Sequence, residues 1–303
     1  MTLGELVAQT ARRFAAAGLR YGHGTDNPYD EASWLVLRGL GLLFGADPKR
    51  EVSKSEQRRI AALAEKRMRR RVPTAYLLHE AWLDGLAFFV DRRVIVPRSH
   101  LAGLLRGRMR PWLRGPVRRI LDLCTGSGCL AILAARAFPQ ARVDASDVSR
   151  AALAVARRNV AQYRLGHRIR LIRSDLFARL GRQRYDLVLT NPPYVSAAAM
   201  RALAPEYRYE PGVSLAGGRE GLDFVSRILA AAPAHLSECG LLACEVGSGR
   251  HALERAYPRL PLVWPRDEVF IYEPARTPAA AGKSATRSRG GGQAASRARR
   301  AAW

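Results

Sequence analysis

The stretch Ile120-Leu121-Asp122-Leu123-Cys124-Thr125-Gly126-Ser127-Gly128 decides the fold. Its apolar run has the length of a buried strand, and it breaks into a glycine turn ahead of the helical pattern over 129–137. Gly126 and Gly128 let the backbone turn tightly and approach a ligand, and Ala131 completes G-x-G-x-x-A. Alone, this pattern fits a dinucleotide, a nucleoside cofactor or a bare tight turn. Asp147, placed 21 residues after Gly126 at the end of the next strand, adds a carboxylate where ribose hydroxyls would be accepted. The competing structural reading of Asp147 is a cap on the helix that starts near Ser149.

Outward from this stretch, strands are predicted over 118–123, 141–146, 169–172, 185–190 and 240–246, with helical stretches between them. Such alternation predicts an α/β fold, a doubly wound, mostly parallel sheet of Rossmann-like type. The piece 263–273 leaves no room for a crossover helix before a last strand at 269–272, which should therefore be antiparallel. That edge suits a methyltransferase sheet better than a nicotinamide one.

Upstream, residues 1–75 read as a small helical bundle. Thr2 with Glu5, and Ser53 with Glu56, have capping-box spacing, and Asn27-Pro28 is a cap followed by proline in the first turn. Expected inward faces are Leu3, Leu6, Val7, Thr10 and Phe14; Trp34, Leu35, Leu37 and Leu40; and Ile60, Leu63, Ala64 and Met68. The cationic run 66–71 has two readings, an RNA contact and a solvated face of an amphipathic helix, and the solvated face is the expected one. Residues 82–96, with Asp84-Gly85 between apolar runs, predict a hairpin, and a helix is expected over 100–110. The expected division is a helical domain over 1–75, suited to recognising a substrate, a hairpin linker over 76–97, an α/β catalytic domain over 98–275 and a disordered basic tail over 276–303.

A chain of 303 residues with 48% apolar content can bury a sizeable core, which excludes a fibrous or wholly disordered protein. Its net charge of +24 attracts anions, with RNA as the first candidate partner, although only four of the fifty cations are lysine and arginine-rich coding offers a neutral explanation. Seven of the cations and no acid lie in 276–303, so the remainder is basic as well. Cys124, Cys129, Cys239 and Cys244 form two C-x4-C pairs without zinc-finger spacing, which suits reduced thiols and predicts no metal. No run approaches the roughly 18 apolar residues of a membrane span, and Glu5 interrupts any signal-peptide core, so a cytoplasmic protein is expected.

The chemistry is most specific at Asn191-Pro192-Pro193-Tyr194, directly after the apolar strand over 185–190. Two prolines stiffen the turn, so the Asn191 side-chain oxygen and the Pro192 carbonyl can converge as acceptors on one NH2 group, with Tyr194 as a flat stacking face. An amide or exocyclic amine is a poor nucleophile because its lone pair is delocalised. Holding both N–H groups aims that lone pair at an electrophile. A merely stiffened loop would need neither the Asn, the Tyr nor the strand-end position.

This Asn-Pro-Pro-Tyr element after the fourth strand resembles the amino-group methyltransferases that use S-adenosylmethionine, both N6-adenine enzymes and protein glutamine N5-methyltransferases. The helical N-terminal region, the hairpin and Val96-Pro97-Arg98-Ser99 resemble the protein glutamine methyltransferase family. Asp122 to Cys129, Arg173-Ser174-Asp175-Leu176-Phe177 and Pro205-Glu206-Tyr207-Arg208-Tyr209-Glu210-Pro211 are similar to its branch acting on ribosomal protein uL3. The release-factor branch differs, with glycine at position 124 and proline at 99. The resemblance implies S-adenosylmethionine as cofactor, held by Asp122, Cys124, Thr125, Gly126, Ser127, Gly128, Asp147 and Asn191, with Asp175 and Leu176 beside the adenine. It implies Asn191, Pro192, Pro193 and Tyr194 as the catalytic set. His100, Leu101 and Gly103 depart from the Pro-Ile and following Glu usual in the family, and Pro265-Arg266-Asp267-Glu268 is shorter and lacks the usual glycines. The alternatives are a release-factor enzyme, an adenine-N6 methyltransferase (which would need a nucleic-acid-reading domain not recognisable here) and an inert RNA-binding assembly factor, which would bind without turnover. A nicotinamide oxidoreductase fails because nothing around Asn191 can relay a proton.

Overall fold

The computed structural model describes residues 1–274; the tail expected over 276–303 lies outside them. Helix α1 (Leu3–Ala16) starts at a Thr2/Glu5 capping box, α2 (Pro28–Gly39) on the Asn27 side chain, and α3 (Lys54–Arg70) at a Ser53/Glu56 capping box. Each cap satisfies N–H groups that the first turn leaves unpaired. Short α4 (Thr74–Leu78) follows Pro73. Leu3, Leu6, Val7, Phe14, Leu35 and Ile60 form one buried cluster between these helices.

The cationic run of α3 departs from expectation. Arg67 is 1% exposed and Arg71 half-buried. Arg67 follows Ile60 and Ala64 along one helical stripe, so a solvated position for it would have pulled that stripe out of the core. Its guanidinium instead meets Glu31 at 2.6 Å and Glu206 at 3.4 Å.

The hairpin is shorter than predicted. β1 (Ala81–Leu83) and β2 (Leu86–Phe88) turn at Asp84 and Gly85, both with positive φ. Residues 89–98 then form a strap without strand pairing, because Val90, Val94 and Val96 bury their side chains against Tyr76, Ala152 and Val155. Helix α5 (Leu101–Arg106) ends at Gly107, with Arg108 and Met109 in the left-handed region, so the predicted last turn does not form.

From here strand and helix alternate: β3 (Arg119–Leu123), α6 (Cys129–Ala137), β4 (Arg142–Asp147), α7 (Arg150–Gln162), β5 (Ile169–Arg173), β6 (Tyr185–Thr190), α8 (Ala197–Ala202), α9 (Asp223–His235), β7 (Leu236–Glu245), α10 (Arg250–Ala256), β8 (Val263–Arg266) and β9 (Val269–Tyr272). The sheet order is β5-β4-β3-β6-β7-β9-β8. The first five are mutually parallel, while β9 runs antiparallel to both β7 and β8 and lies inside the sheet, with β8 on the edge. Ile120, Leu121 and Leu123 are fully buried because both faces of β3 are covered, by α5 and α6 on one side and by α9 with residues 176–180 on the other. Since β3 pairs with β4 on one flank and β6 on the other, the chain leaves their carboxyl ends in opposite directions, and a crevice opens between them.

Among the described residues no helix is long and apolar enough to cross a membrane, and no group of three or more His, Cys, Asp or Glu is placed to hold a metal ion.

Candidate active site

The turn after β3 is held from several sides. Asp122 lies beneath it, fully buried, and its Oδ2 accepts from Thr125 Oγ1 at 2.5 Å and from the Ala131 N–H at 3.0 Å. Burial pushes this carboxyl up to about 7. The Thr125 N–H donates to the Ser146 carbonyl, and Asn159 Nδ2 donates to the Ser127 carbonyl at 2.8 Å. Gly126 adopts φ +55°, and Cys124 adopts φ +57°. A non-glycine residue there costs on the order of 1 kcal/mol.

Asp147 ends β4 and joins the two loops: Oδ2 accepts from the Gly126 N–H at 2.9 Å and Oδ1 from the Ser149 N–H at 2.8 Å. The cap of α7 is the Ser149 side chain, which accepts from the Ala152 N–H, so Asp147 is not the helix cap. Burial also raises the Asp147 carboxyl above its ordinary range.

At the end of β6, Asn191 stands on the rim, and among the described residues its side-chain amide has no hydrogen-bond partner. Pro192 and Pro193 are buried. The segment after them is fixed by backbone bonds: the Val195 N–H donates to the Leu215 carbonyl, Gly217 to Val195 and Ala197 to Gly218. A Cβ at Gly217 would stand 2.7 Å from the Tyr194 Cα, and one at Gly221 would strike the Tyr194 carbonyl. Only glycine permits that approach. The Tyr194 ring lies against Gly247, and its phenol is held protonated, first by burial and then by the nearby Glu245 carboxylate.

One cavity joins these loops. Cys124, Gly126, Asp147, Ser174, Asp175, Leu176, Asn191 and Pro193 line it, together with Ile95, Val148, Val213, Ser214 and Phe224, which sequence reasoning did not single out. Asp122, Thr125, Ser127, Gly128, Pro192 and Tyr194 stand behind or beside the wall. The lining fits S-adenosylmethionine: apolar Ile95, Leu176 and Phe224 offer faces to a base, Asp147 and Asp175 offer acceptors to hydroxyls and amines, and the space a Gly126 side chain would take is open. Leu176, like Cys124, is a lining residue with positive φ.

Behind the rim, the Pro205–Tyr209 turn and Glu210 clamp the helical region to the sheet. Glu206 accepts from the Arg20 N–H at 3.1 Å and faces Arg67 and Arg71. Glu210 accepts from Arg98 at 2.5 and 2.7 Å and from the Val96 N–H at 2.9 Å. Next to them Ser99 Oγ donates to the buried Glu245 at 2.5 Å. In the sequence the acidic side of this clamp shows as two acids four apart around an aromatic turn.

Methyl transfer from S-adenosylmethionine is the chemistry this rim belongs to: the chain is a methyltransferase using that cofactor, and a family model described as methyltransferase small domain matches residues 109–206. A ribosomal protein uL3 glutamine methyltransferase of Bordetella pertussis is 52% identical over 268 residues, covering 87% of this chain and 90% of the relative. One from Bradyrhizobium diazoefficiens is 48% identical over 275 residues, covering 87% and 86%. A solved methyltransferase structure from Pyrococcus furiosus superposes with a TM-score of 0.46 at 19% identity, covering 63% of this chain and 89% of that one. The chain belongs to the family of ribosomal protein uL3 glutamine methyltransferases.

Proposed function

We propose that the chain methylates the side-chain amide nitrogen of a glutamine in ribosomal protein uL3, the protein named in its relatives. The observation that carries the reading is the unpartnered Asn191 amide, fixed beside the cavity by two buried prolines. Asn191 Oδ1 and the Pro192 carbonyl accept the two amide N–H groups, and the Tyr194 ring flanks the amide plane. When bound, S-adenosylmethionine supplies a methyl group on a positively charged sulfur. The two acceptors hold the amide with its nitrogen lone pair facing the cavity, which prepays the orientation that a free amide lacks. Transfer makes one N–C bond and breaks one C–S bond, and the proton that the nitrogen no longer holds passes to water. No residue serves as base: the Tyr194 phenol stays protonated, and Glu245 is engaged by Ser99 and the His100 N–H.

In this reading Asp147 accepts the ribose hydroxyls, Asp175 and Leu176 border the adenine, and the turn from Cys124 to Gly128 carries the rest of the cofactor. The helices of residues 1–75 present the protein substrate to a catalytic region over 98–275, across the linker between them. RNA contact through the basic surface and a cytoplasmic site of action go with a ribosomal substrate. The test is labelled S-adenosylmethionine with purified uL3 and, separately, purified release factors. Label on a uL3 glutamine is expected; faster labelling of release factors would reassign the substrate.

A further inference from the structure

A groove runs between the C-terminal half of α3 and the strap 89–98, with Lys66 and Arg70 on one wall, Arg92 and Arg93 on the other, and Tyr76 and Tyr209 at its floor and end. Lys66, Arg70 and Arg92 are exposed, and among the described residues none has a carboxylate partner. The acid lining the groove is Asp91, which Arg93 already engages at 2.6 Å. The Arg92 guanidinium lies 4.5 Å from the centre of the Tyr209 ring. Beyond it the stripe continues through His79, stacked on Phe89, with Arg158 lying over the same ring at 3.6 Å.

A second basic surface lies at the amino ends of β3, β4 and β5, but apart from Arg142 most of its donors are committed. There Arg170 meets Asp144, Arg168 donates to the carbonyls of Ala135, Phe138 and Ala141, and Arg119 donates to Gln183. Cations without acids are what a phosphate backbone requires, and half-buried Tyr209 beside Arg92 sets a flat ring for a base at the end of the groove. An acidic peptide would match the charge but leave the Tyr209 ring without a use. The groove also leads to the chemistry, because the strap that carries Arg92 reaches the cavity wall at Ile95 and the Glu210 clamp at Arg98.

We propose that this groove binds the backbone of a single-stranded RNA segment, so that the enzyme engages its substrate while RNA is at hand. The inference deepens the RNA contact of the preceding reading, and rests on it, by giving that contact a place.

The experiment is fluorescence anisotropy on the full chain with a labelled single-stranded RNA of about 12 nucleotides, measured over a range of salt. Combined Lys66→Glu, Arg70→Glu and Arg92→Glu should weaken binding at least about tenfold and flatten the slope of log K against log salt by about 2, at roughly 0.7 per phosphate released. Arg118→Glu before β3, Arg136→Glu at the end of α6 and Arg142→Glu at the start of β4, exposed arginines by the amino ends of the strands, make the same charge change away from the groove and should keep most of the slope. Should the groove variant fold poorly, photocrosslinking of thiouridine-bearing RNA to the unaltered protein gives the second reading, with adducts expected on peptides carrying Arg92 or Tyr209. RNA binding with an unchanged slope in the groove variant, or adducts confined elsewhere, overturns the groove but leaves RNA contact standing. No binding by the unaltered protein overturns both. Displacement by oligoglutamate at lower charge concentration than by RNA overturns the groove in favour of an acidic protein.

Discussion

Buried carboxylates in two regions of this molecule have opposite company. In the clamp, Glu31, Glu206 and Glu210 each face arginine: Arg67, Arg67 with Arg71, and Arg98. Burial alone would raise Glu206, but the Arg20 N–H and the Arg67 guanidinium more than offset it, so it stays below the ordinary range. At the rim, Asp147, and behind it Asp122 and Glu245, receive only hydroxyl and N–H donors, and burial pushes all three up. A charge neutralised inside the protein is a strut, because its field is spent on its partner. A carboxylate held only by dipoles keeps its field for a cationic or hydroxyl-bearing ligand. The clamp should therefore govern stability, and the rim affinity and rate.

The sharpest way to break this division is Arg67→Ala, which leaves Glu31 and Glu206 buried without their shared cation. Denaturant unfolding should show a loss of about 3 to 5 kcal/mol; a variant that melts normally but fails to turn over would place the clamp in the chemistry. Next in size is Asn191→Ala on the rim. Turnover should fall about 100- to 1,000-fold, the usual span for removing one oriented hydrogen-bonding group, with cofactor affinity held. Near-normal turnover would leave the Asn-Pro-Pro-Tyr turn a scaffold only.

Asp147→Ala should weaken cofactor binding by about 1 to 3 kcal/mol in calorimetry, with the unfolding midpoint little changed. If the midpoint drops and affinity holds, Asp147 belongs with the struts. The last test concerns Asp122, whose effect is read as a pH dependence. Its folded carboxyl titrates at about 7, against about 4 in an unfolded chain. The folded state therefore holds the proton longer, and this contribution to stability is full below about pH 4 and lost as pH rises toward 7. Asp122→Asn should flatten the decline of the unfolding midpoint across that window. An unchanged slope would mean that the Asp122 carboxyl is already ionised in the fold.

The rim was legible in the sequence because each of its parts is local. The apolar run 120–123, the glycine turn and Asn191 to Tyr194 are contiguous, and both capping boxes formed where their spacing placed them. The clamp was not legible, because its partners stand far apart in the chain: Arg67 and Glu206 are 139 residues apart, and Arg98 and Glu210 are 112 apart. Nothing local distinguishes Arg67 from its exposed neighbours except the helical stripe it shares with Ile60 and Ala64. The hairpin was over-read for a similar reason: alternation over 89–96 reflects valines buried beneath a strap, not strand pairing. Residues such as Val213 and Phe224 reach the cavity from segments whose place depends on the bonds around Gly217.

Those bonds have a consequence for selectivity. A turn stitched to residues 215–218 and packed on two glycines cannot follow a ligand that stops short of it. An asparagine side chain carries the same amide on one methylene less. To reach the same acceptors it would have to drag its whole backbone inward, and a misplacement of about 1 Å is enough to cost about 100-fold in rate. The stiffness of the turn thus acts as a ruler, measuring the distance from a substrate's main chain to its amide.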